Sequence, residues 1–318
     1  MNMRSNRTLL TAAALTVAVL AVSSSAPLIA FAAAPALAIA FWRNGVAAAV
    51  LTGVTAGPRR AELRGLLRGK HRDGLFCVLS GLALAVHFGT WIPSVQLGSV
   101  ATATALVATQ PVWQGLIAAG QGRRPSTAAW VGIALAVIGA AWATGIDVGV
   151  SSRAVLSDVL ALIGGMAAAV YTALGERVRV RLSTTTYTWA CYGTCAVVLL
   201  VVCLTLRTPL TGYALSTWLA IAALIIGPQL LGHSMFNYAL QHTTATTVSV
   251  LILLETPAAT LLAWLWLNQT PRVAALPGLA LLLAGVAVVI LFSRRGPALP
   301  PETGAGAVDV AGSNDSAS

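Results

Sequence analysis

Charge is what this chain has least of. Only 9% of its 318 residues are Asp, Glu, Lys or Arg, against 57% hydrophobic, and the mean hydropathy is +0.83. That leaves too little polar surface to cover a soluble globule, so lipid must be the solvent. Acidic residues number nine and basic ones 19. The excess does not point to nucleic acid, because its densest run, 57–73, sits between two apolar spans and lacks the interleaved aromatics of a single-strand binder. Cysteine is scarce too. Cys77, Cys191, Cys195 and Cys203 all fall inside apolar runs, where they behave as small hydrophobes, and no His or further Cys beside Cys191 and Cys195 completes a metal site. A Gly-rich phosphate loop ending in Lys-Ser or Lys-Thr is missing, so ATP is not used by this chain, and no cofactor is expected.

What the chain does have is long apolar runs without the alternation of a barrel strand. Each is near the roughly 20 residues needed to cross about 30 Å of hydrocarbon. Ten spans are expected, near 8–30, 35–55, 74–95, 97–119, 127–146, 158–176, 185–206, 215–240, 244–267 and 272–292. The fold class is therefore an all-α integral membrane protein. The cations sort by side. Arg4, Arg7, Arg59, Arg60, Arg64, Arg68, Lys70, Arg72, Arg123, Arg124, Arg177, Arg179, Arg181, Arg294 and Arg295 lie in gaps on one face, Arg153, Arg207 and Arg272 on the other, and Arg43 within a span. Cationic loops stay in the cytoplasm, so both termini of this cell-membrane protein are expected there. The first 27 residues also pass as a secretory signal, but the apolar run resumes as PLIAFAAA after Ser23, Ser24 and Ser25, favouring a retained helix. Residues 296–318, rich in Gly, Pro and Ser, read as a disordered cytoplasmic tail.

The chain also repeats itself. An offset of 146 pairs His87 with His233, Pro111 with Pro257, Pro125 with Pro271, Gly132 with Gly278 and Gly139 with Gly285, without a gap over some 60 residues. Two halves of five helices follow, 1–146 and 147–295. Five is odd, so the second half enters from the opposite side as an inverted repeat, an arrangement suited to alternating access. Gly132 and Gly139, like Gly278 and Gly285, share one helix face and permit a close helix neighbour. Pro111 and Pro257 fall mid-span, where each should kink its helix and free carbonyls beside a cavity, making them candidate hinges.

The stretch HSMFNYALQHTTATTVSVLILLETPAATLLAWLWLNQTP at 233–271, with Asn237-Tyr238-Ala239-Leu240, Ala245-Thr246, Ser249, Leu254-Glu255 and Ala263-Trp264-Leu265, resembles the EamA-type transporters of the drug/metabolite transporter superfamily. FWRNG at 41–45 is similar to that family's Arg-bearing second helix, and SVATATALVATQPVW to its fourth. The resemblance covers about 285 residues and implies a ten-helix secondary carrier. There are departures. Thr256 separates the ninth-helix Glu from Pro257, Asn268-Gln269 replaces the usual closing Gly-Glu, and Arg123 follows Gly122 where the family has Glu.

Polar groups at membrane depth are functional candidates, and few exist here. Glu255 lies near the middle of the ninth span and could bind a substrate or a proton. Arg43 sits about 12 Å in from the outer end of the second, at about 1.5 Å per residue. It could bind a substrate carboxylate, neutralise Glu255 or snorkel outward beside Trp42. His87 and His233 could shuttle protons or join helices by hydrogen bonds. Trp91, Gln110, Tyr171, Gln229 and Asn237 are further lining candidates. The leading function is a secondary-active exporter of a small metabolite or drug, working as a monomer or homodimer, with protons as the coupling ion considered. The alternative is a membrane enzyme acting on lipid through His87, His233 and Glu255, although no second membrane acid or metal-ligand cluster supports it. A scaffold would leave the buried charges unexplained.

Overall fold

The computed structural model describes residues 3–68, 71–98, 100–144, 152–267 and 273–292, and all secondary structure among them is helical. Seven helical stretches are long and apolar enough to cross a bilayer: 8–31, 36–56, 72–97, 155–179, 184–205, 215–239 and 245–266. Apolar helices at 127–142 and 276–289 are shorter. The expected tail 296–318, the boundary at 146/147, and Lys70, Pro271, Arg272, Arg294, Arg295 and Asn268-Gln269 lie outside the described residues.

The helices follow the apolar runs, with informative breaks. Helices α1 (Met3–Ser23) and α2 (Ser25–Phe31) meet at Ser24. Next come α3 (Ala36–Ala56), a short α4 (Arg60–Arg68) in the basic connection, and α5 (His71–Leu97). The expected fourth span is not one helix. It divides into α6 (Val100–Val107) and α7 (Gln110–Gly120), followed by α8 (Thr127–Thr144), α9 (Ser152–Arg179) and α10 (Thr184–Thr205). The ninth span divides likewise, into α13 (Ala245–Ile252) and α14 (Glu255–Leu267), before α15 (Leu276–Phe292). Between α10 and α13 runs a composite element: α11 (Leu215–Leu224), a π-helical segment (Ile225–His233) and α12 (Ser234–Ala239).

The two interruptions have one cause, and it corrects the expected mid-helix kink. Proline has no N–H and its ring strikes the carbonyl four residues back, so a helix is most easily restarted with proline in its first turn. Pro111 is the second residue of α7 and Pro257 the third of α14. The chain breaks just before each, at 108–109 and 253–254. There the backbone tightens to three-residue hydrogen bonds, Thr109 N–H to Leu106 O at 3.2 Å and Leu254 N–H to Leu251 O at 3.1 Å. Pro228 has a different effect inside the expected eighth span. The ladder there widens, and Ser234 N–H donates five residues back to Gln229 O.

The glycine faces pack as expected. A Cβ at Gly139 would stand 2.6 Å from Gly278 O, and one at Gly132 would stand 2.8 Å from Gly285 O. Residues 132 and 139 thus meet 285 and 278 in reverse order, so α8 and α15 run antiparallel with backbones touching at both ends of the contact. We predict that Gly139→Leu, by overpacking this seam, destabilises the protein by about 1–3 kcal/mol. Gly193→Ala, whose Cβ would meet nothing within 4 Å in the interior of α10, should not destabilise it. Thermal unfolding in detergent reads both. Equal melting temperatures for the two variants would refute the seam.

Candidate functional site

The helix breaks and the π-segment surround one internal cavity. Its volume is about 60 Å³, enough for a few ordered waters. The walls come from α1 and α2 (Val22, Ser25), α5 (His87, Trp91), α6 and α7 (Val107, Gln110), α9 (Tyr171, Thr172), the π-segment (His233), α12 (Asn237), α13 (Val248) and the start of α14 (Glu255). Seven of the nine residues singled out from sequence line it: His87, Trp91, Gln110, Tyr171, His233, Asn237 and Glu255. Arg43 and Gln229 do not. Pro111 and Pro257 stand off its wall, one and two residues after the lining Gln110 and Glu255.

Arg43 lies behind the wall. It is fully enclosed, so the snorkelling alternative fails. Its Nε donates to Gln229 Oε1 at 2.9 Å, one terminal nitrogen reaches Ser25 Oγ at 3.4 Å, and its guanidinium lies 4.1 Å from the Phe88 ring centroid. A buried cation needs such partners because no water replaces its hydration shell. Gln229 is fixed in turn by donating its Nε2 to Asn44 Oδ1 at 3.0 Å. The π-segment makes this possible. Its spare turn aims Gln229 at Arg43 and His233 at the cavity, and the Gln229 carbonyl also accepts from Tyr192 and Ser234 hydroxyls, each at 3.4 Å.

On the cavity wall the rings stack and the polar atoms are only partly paired. His87 and Trp91 are 5.8 Å apart at 6°, and His233 stands 6.3 Å from His87 and 6.2 Å from Tyr171 between ring centres. His87 Nδ1 lies 2.9 Å from Gly164 O and donates to that carbonyl. Asn237 Nδ2 donates to Tyr171 Oη at 2.5 Å, leaving Asn237 Oδ1 with no partner. Gln110 Nε2 donates to Thr172 Oγ1 at 3.2 Å. The Trp91 Nε1–H is also unpaired.

The model of the EamA-like transporter family matches twice, over residues 8–145 and 155–291, which together are most of the chain. The chain belongs to the EamA-like transporter family. No curated protein matches it. A solved structure described only as "Crystal structure of protein" is 22% identical, with a TM-score of 0.72 over 90% of this chain and 98% of that one, a likeness of fold. EamA membership and the apolar helices together make this a multi-pass membrane protein of a transporter family.

Two polar features of this EamA chain were not singled out from sequence. Gln114 is fully buried on α7, one turn beyond Gln110, and neither of its amide atoms has a partner; the four-residue spacing from Gln110 was the available signal. Arg179 reads as a loop cation but is the buried last residue of α9. It donates to Asn237 O at 2.8 Å, Thr184 Oγ1 at 2.6 Å, Gln241 Oε1 at 3.1 Å and the Leu182 carbonyl. It therefore holds the backbone of the residue whose side chain lines the cavity. Nothing in its sequence context distinguishes it from Arg177 and Arg181.

The same end of the bundle is tied by charge. Arg123 grips both Glu176 oxygens, at 2.9 and 2.8 Å, and the hydrogen bonds to Glu176 raise its pKa above the ordinary value. Arg181 pairs with Asp73 at 3.0 Å. Glu62 on α4 caps α10, accepting from Ser183 N–H and Oγ, both at 2.6 Å, and from Thr186 Oγ1 at 2.8 Å. Partial burial opposes ionisation of Glu62, but these hydrogen bonds and nearby Arg59 prevail and set its carboxyl below the usual 4.5. Such a group adds stability above its unfolded pKa and loses it as pH falls through the folded one. Glu62→Gln should therefore lower the melting temperature at pH 7, with the gap to the wild-type protein closing as pH falls below about 4.5. A gap absent at pH 7 would contradict the cap.

Proposed function

We propose that this protein is a secondary-active exporter of a small metabolite or drug, and that the cavity lined by His87, His233 and Glu255 is its alternating-access site. The observation that carries the reading is where the walls come from. Val22, His87, Trp91 and Gln110 belong to the first matched segment, and Tyr171, His233, Asn237 and Glu255 to the second. A site shared between two halves is opened to either side when they rock against each other.

The halves in this account are 1–146 and 147–295, ten spans arranged as two inverted repeats, with both termini and the tail 296–318 in the cytoplasm. The α8–α15 seam supports the inversion. Helices related by the 146-residue offset run antiparallel there, and Gly132 on Gly285 is the counterpart of Gly139 on Gly278, as a two-fold axis in the membrane plane requires. The side-by-side sorting of cations supports the orientation. It makes the end bearing Arg123–Glu176, Arg181–Asp73 and the Glu62 cap the cytoplasmic end.

Glu255 is assigned the coupling or substrate contact. It opens α14 directly after the break, on the cavity wall, and its counterpart by the repeat is Thr109 at the other break, so only one half brings a carboxyl. Pro111 and Pro257 are the hinges beside it. His87 and His233 lie within proton-relay distance through a bridging water, with protons as the coupling ion. Family membership gives no support to the enzyme alternative.

The test is flux into or out of proteoliposomes under an imposed pH gradient. Glu255→Gln should cut gradient-driven flux at least about tenfold, a loss of roughly 1.4 kcal/mol in the transport barrier, with protein yield and melting temperature held. Unchanged flux across pH 6 to 8 would remove Glu255 from the mechanism.

A further inference from the structure

Helix α4 is held to the bundle by one face only. Glu62 and Leu66, four residues apart, are that face: Glu62 accepts from Ser183 and Thr186 at the start of α10, and Leu66, buried, belongs to the main apolar core. Arg60, Arg64 and Arg68 recur at the same spacing. At about 100° per residue their stripe is centred about 180° from the Glu62–Leu66 face. All three are exposed, and none has a hydrogen bond or ion pair with a described residue.

The bundle offers this stripe no counter-charge. Of the described carboxylates at this end, Glu62 is engaged by the α10 cap, Asp73 by Arg181 and Glu176 by Arg123. Exposed Arg59, Arg124 and Arg177 add to the same excess. The neutralising anions must come from outside the chain.

Position decides which anions those are. The flanking α3 and α5 are both long and apolar enough to cross a bilayer, and only residues 57–59 and 69–70 separate α4 from them. Links that short keep α4 at the level where the two spans leave the hydrocarbon. Val50 and Val54 near the end of α3, and Leu75 and Val78 near the start of α5, are all exposed apolar side chains, so acyl chains cover both helices almost up to α4. The phosphates of those same lipids lie beside the stripe. A guanidinium presents a planar fork that matches a phosphate with two parallel hydrogen bonds, and cations next to a span are drawn to an anionic leaflet.

We propose that the Arg60, Arg64 and Arg68 face of α4 is a binding site for the headgroups of anionic phospholipid. Zwitterionic phosphatidylcholine carries its own cation and is not retained there. The site does not depend on the carrier reading.

Thermal unfolding of the full-length protein in nanodiscs tests it, with phosphatidylcholine alone set against phosphatidylcholine mixed with phosphatidylglycerol. A ligand that binds only the folded chain stabilises it, so phosphatidylglycerol should raise the melting temperature by at least about 3 °C at low salt. Raising the salt to about 1 M, where the screening length falls to about 3 Å, should remove at least half of that rise. Arg64→Gln/Arg68→Gln should also remove at least half of it, whereas Arg124→Gln/Arg177→Gln, which deletes as much charge from the same end, should keep it. Glycerol 3-phosphate added to phosphatidylcholine nanodiscs should give no rise. A wild-type protein indifferent to phosphatidylglycerol, or a rise that survives Arg64→Gln/Arg68→Gln, overturns the site. Equal losses in the two double variants would reduce the effect to net charge, and a rise with glycerol 3-phosphate would make it a site for free phosphates; either result also overturns the lipid assignment. No flux is read, so the carrier reading stands or falls by its own experiment.

Discussion

Inside a bilayer no water is on hand to satisfy a polar atom, and the rest of this structure depends on how that shortage is met. Backbone groups are satisfied within helices, and the helix ladder opens only where protein surrounds it. The breaks before Pro111 and Pro257 and the π-segment around Pro228 all lie beside the cavity, and the Gln229 carbonyl, which already accepts the Ser234 N–H of the widened ladder, also takes hydroxyls from Tyr192 and Ser234. Arg43 follows the same rule. Its charge is stabilised by Gln229, Ser25 and the Phe88 ring, and Gln229 is held by Asn44, so a chain of side chains joins α3 to the π-segment across the two matched segments.

From this shortage comes a division of labour. Where the helices need only to touch, small residues bring backbones together, as Gly132, Gly139, Gly278 and Gly285 do along α8 and α15. Where something must be bound, polar atoms are left open instead. Asn237 stands between the two regimes. Its side chain faces the cavity, while its carbonyl is held by Arg179, which also grips Thr184 and Gln241 at the charged end of the bundle. Arg179 thus fixes the backbone of a cavity-lining residue from the charged end of the bundle.

Much of this was legible in the residues, because membrane solvation makes each polar departure conspicuous. The apolar runs indicated an all-helical membrane chain, and the rarity of polar groups at membrane depth singled out seven of the sixteen residues that line the cavity. The positions of the helix breaks were less legible. Proline marks where a ladder fails but not on which side, so a mid-span kink was expected where α7 and α14 restart with Pro111 and Pro257 in their first turns. Pro228 gave no warning of a π-segment, since the same residue type produces either outcome according to what can accept the freed carbonyls. Arg179 escaped notice for a related reason. Its burial depends on where α12 ends in space, and no local pattern around 177–181 encodes that.

The central claim is that one cavity, shared by two halves, faces each side of the membrane in turn. It is tested most directly by replacing the four native cysteines, placing a single cysteine at Val248 on the cavity wall, and applying a membrane-impermeant maleimide to right-side-out and to inverted vesicles. The account predicts labelling from both faces, with a solute that occupies the cavity slowing both. Labelling from one face alone, however long the exposure, would contradict it.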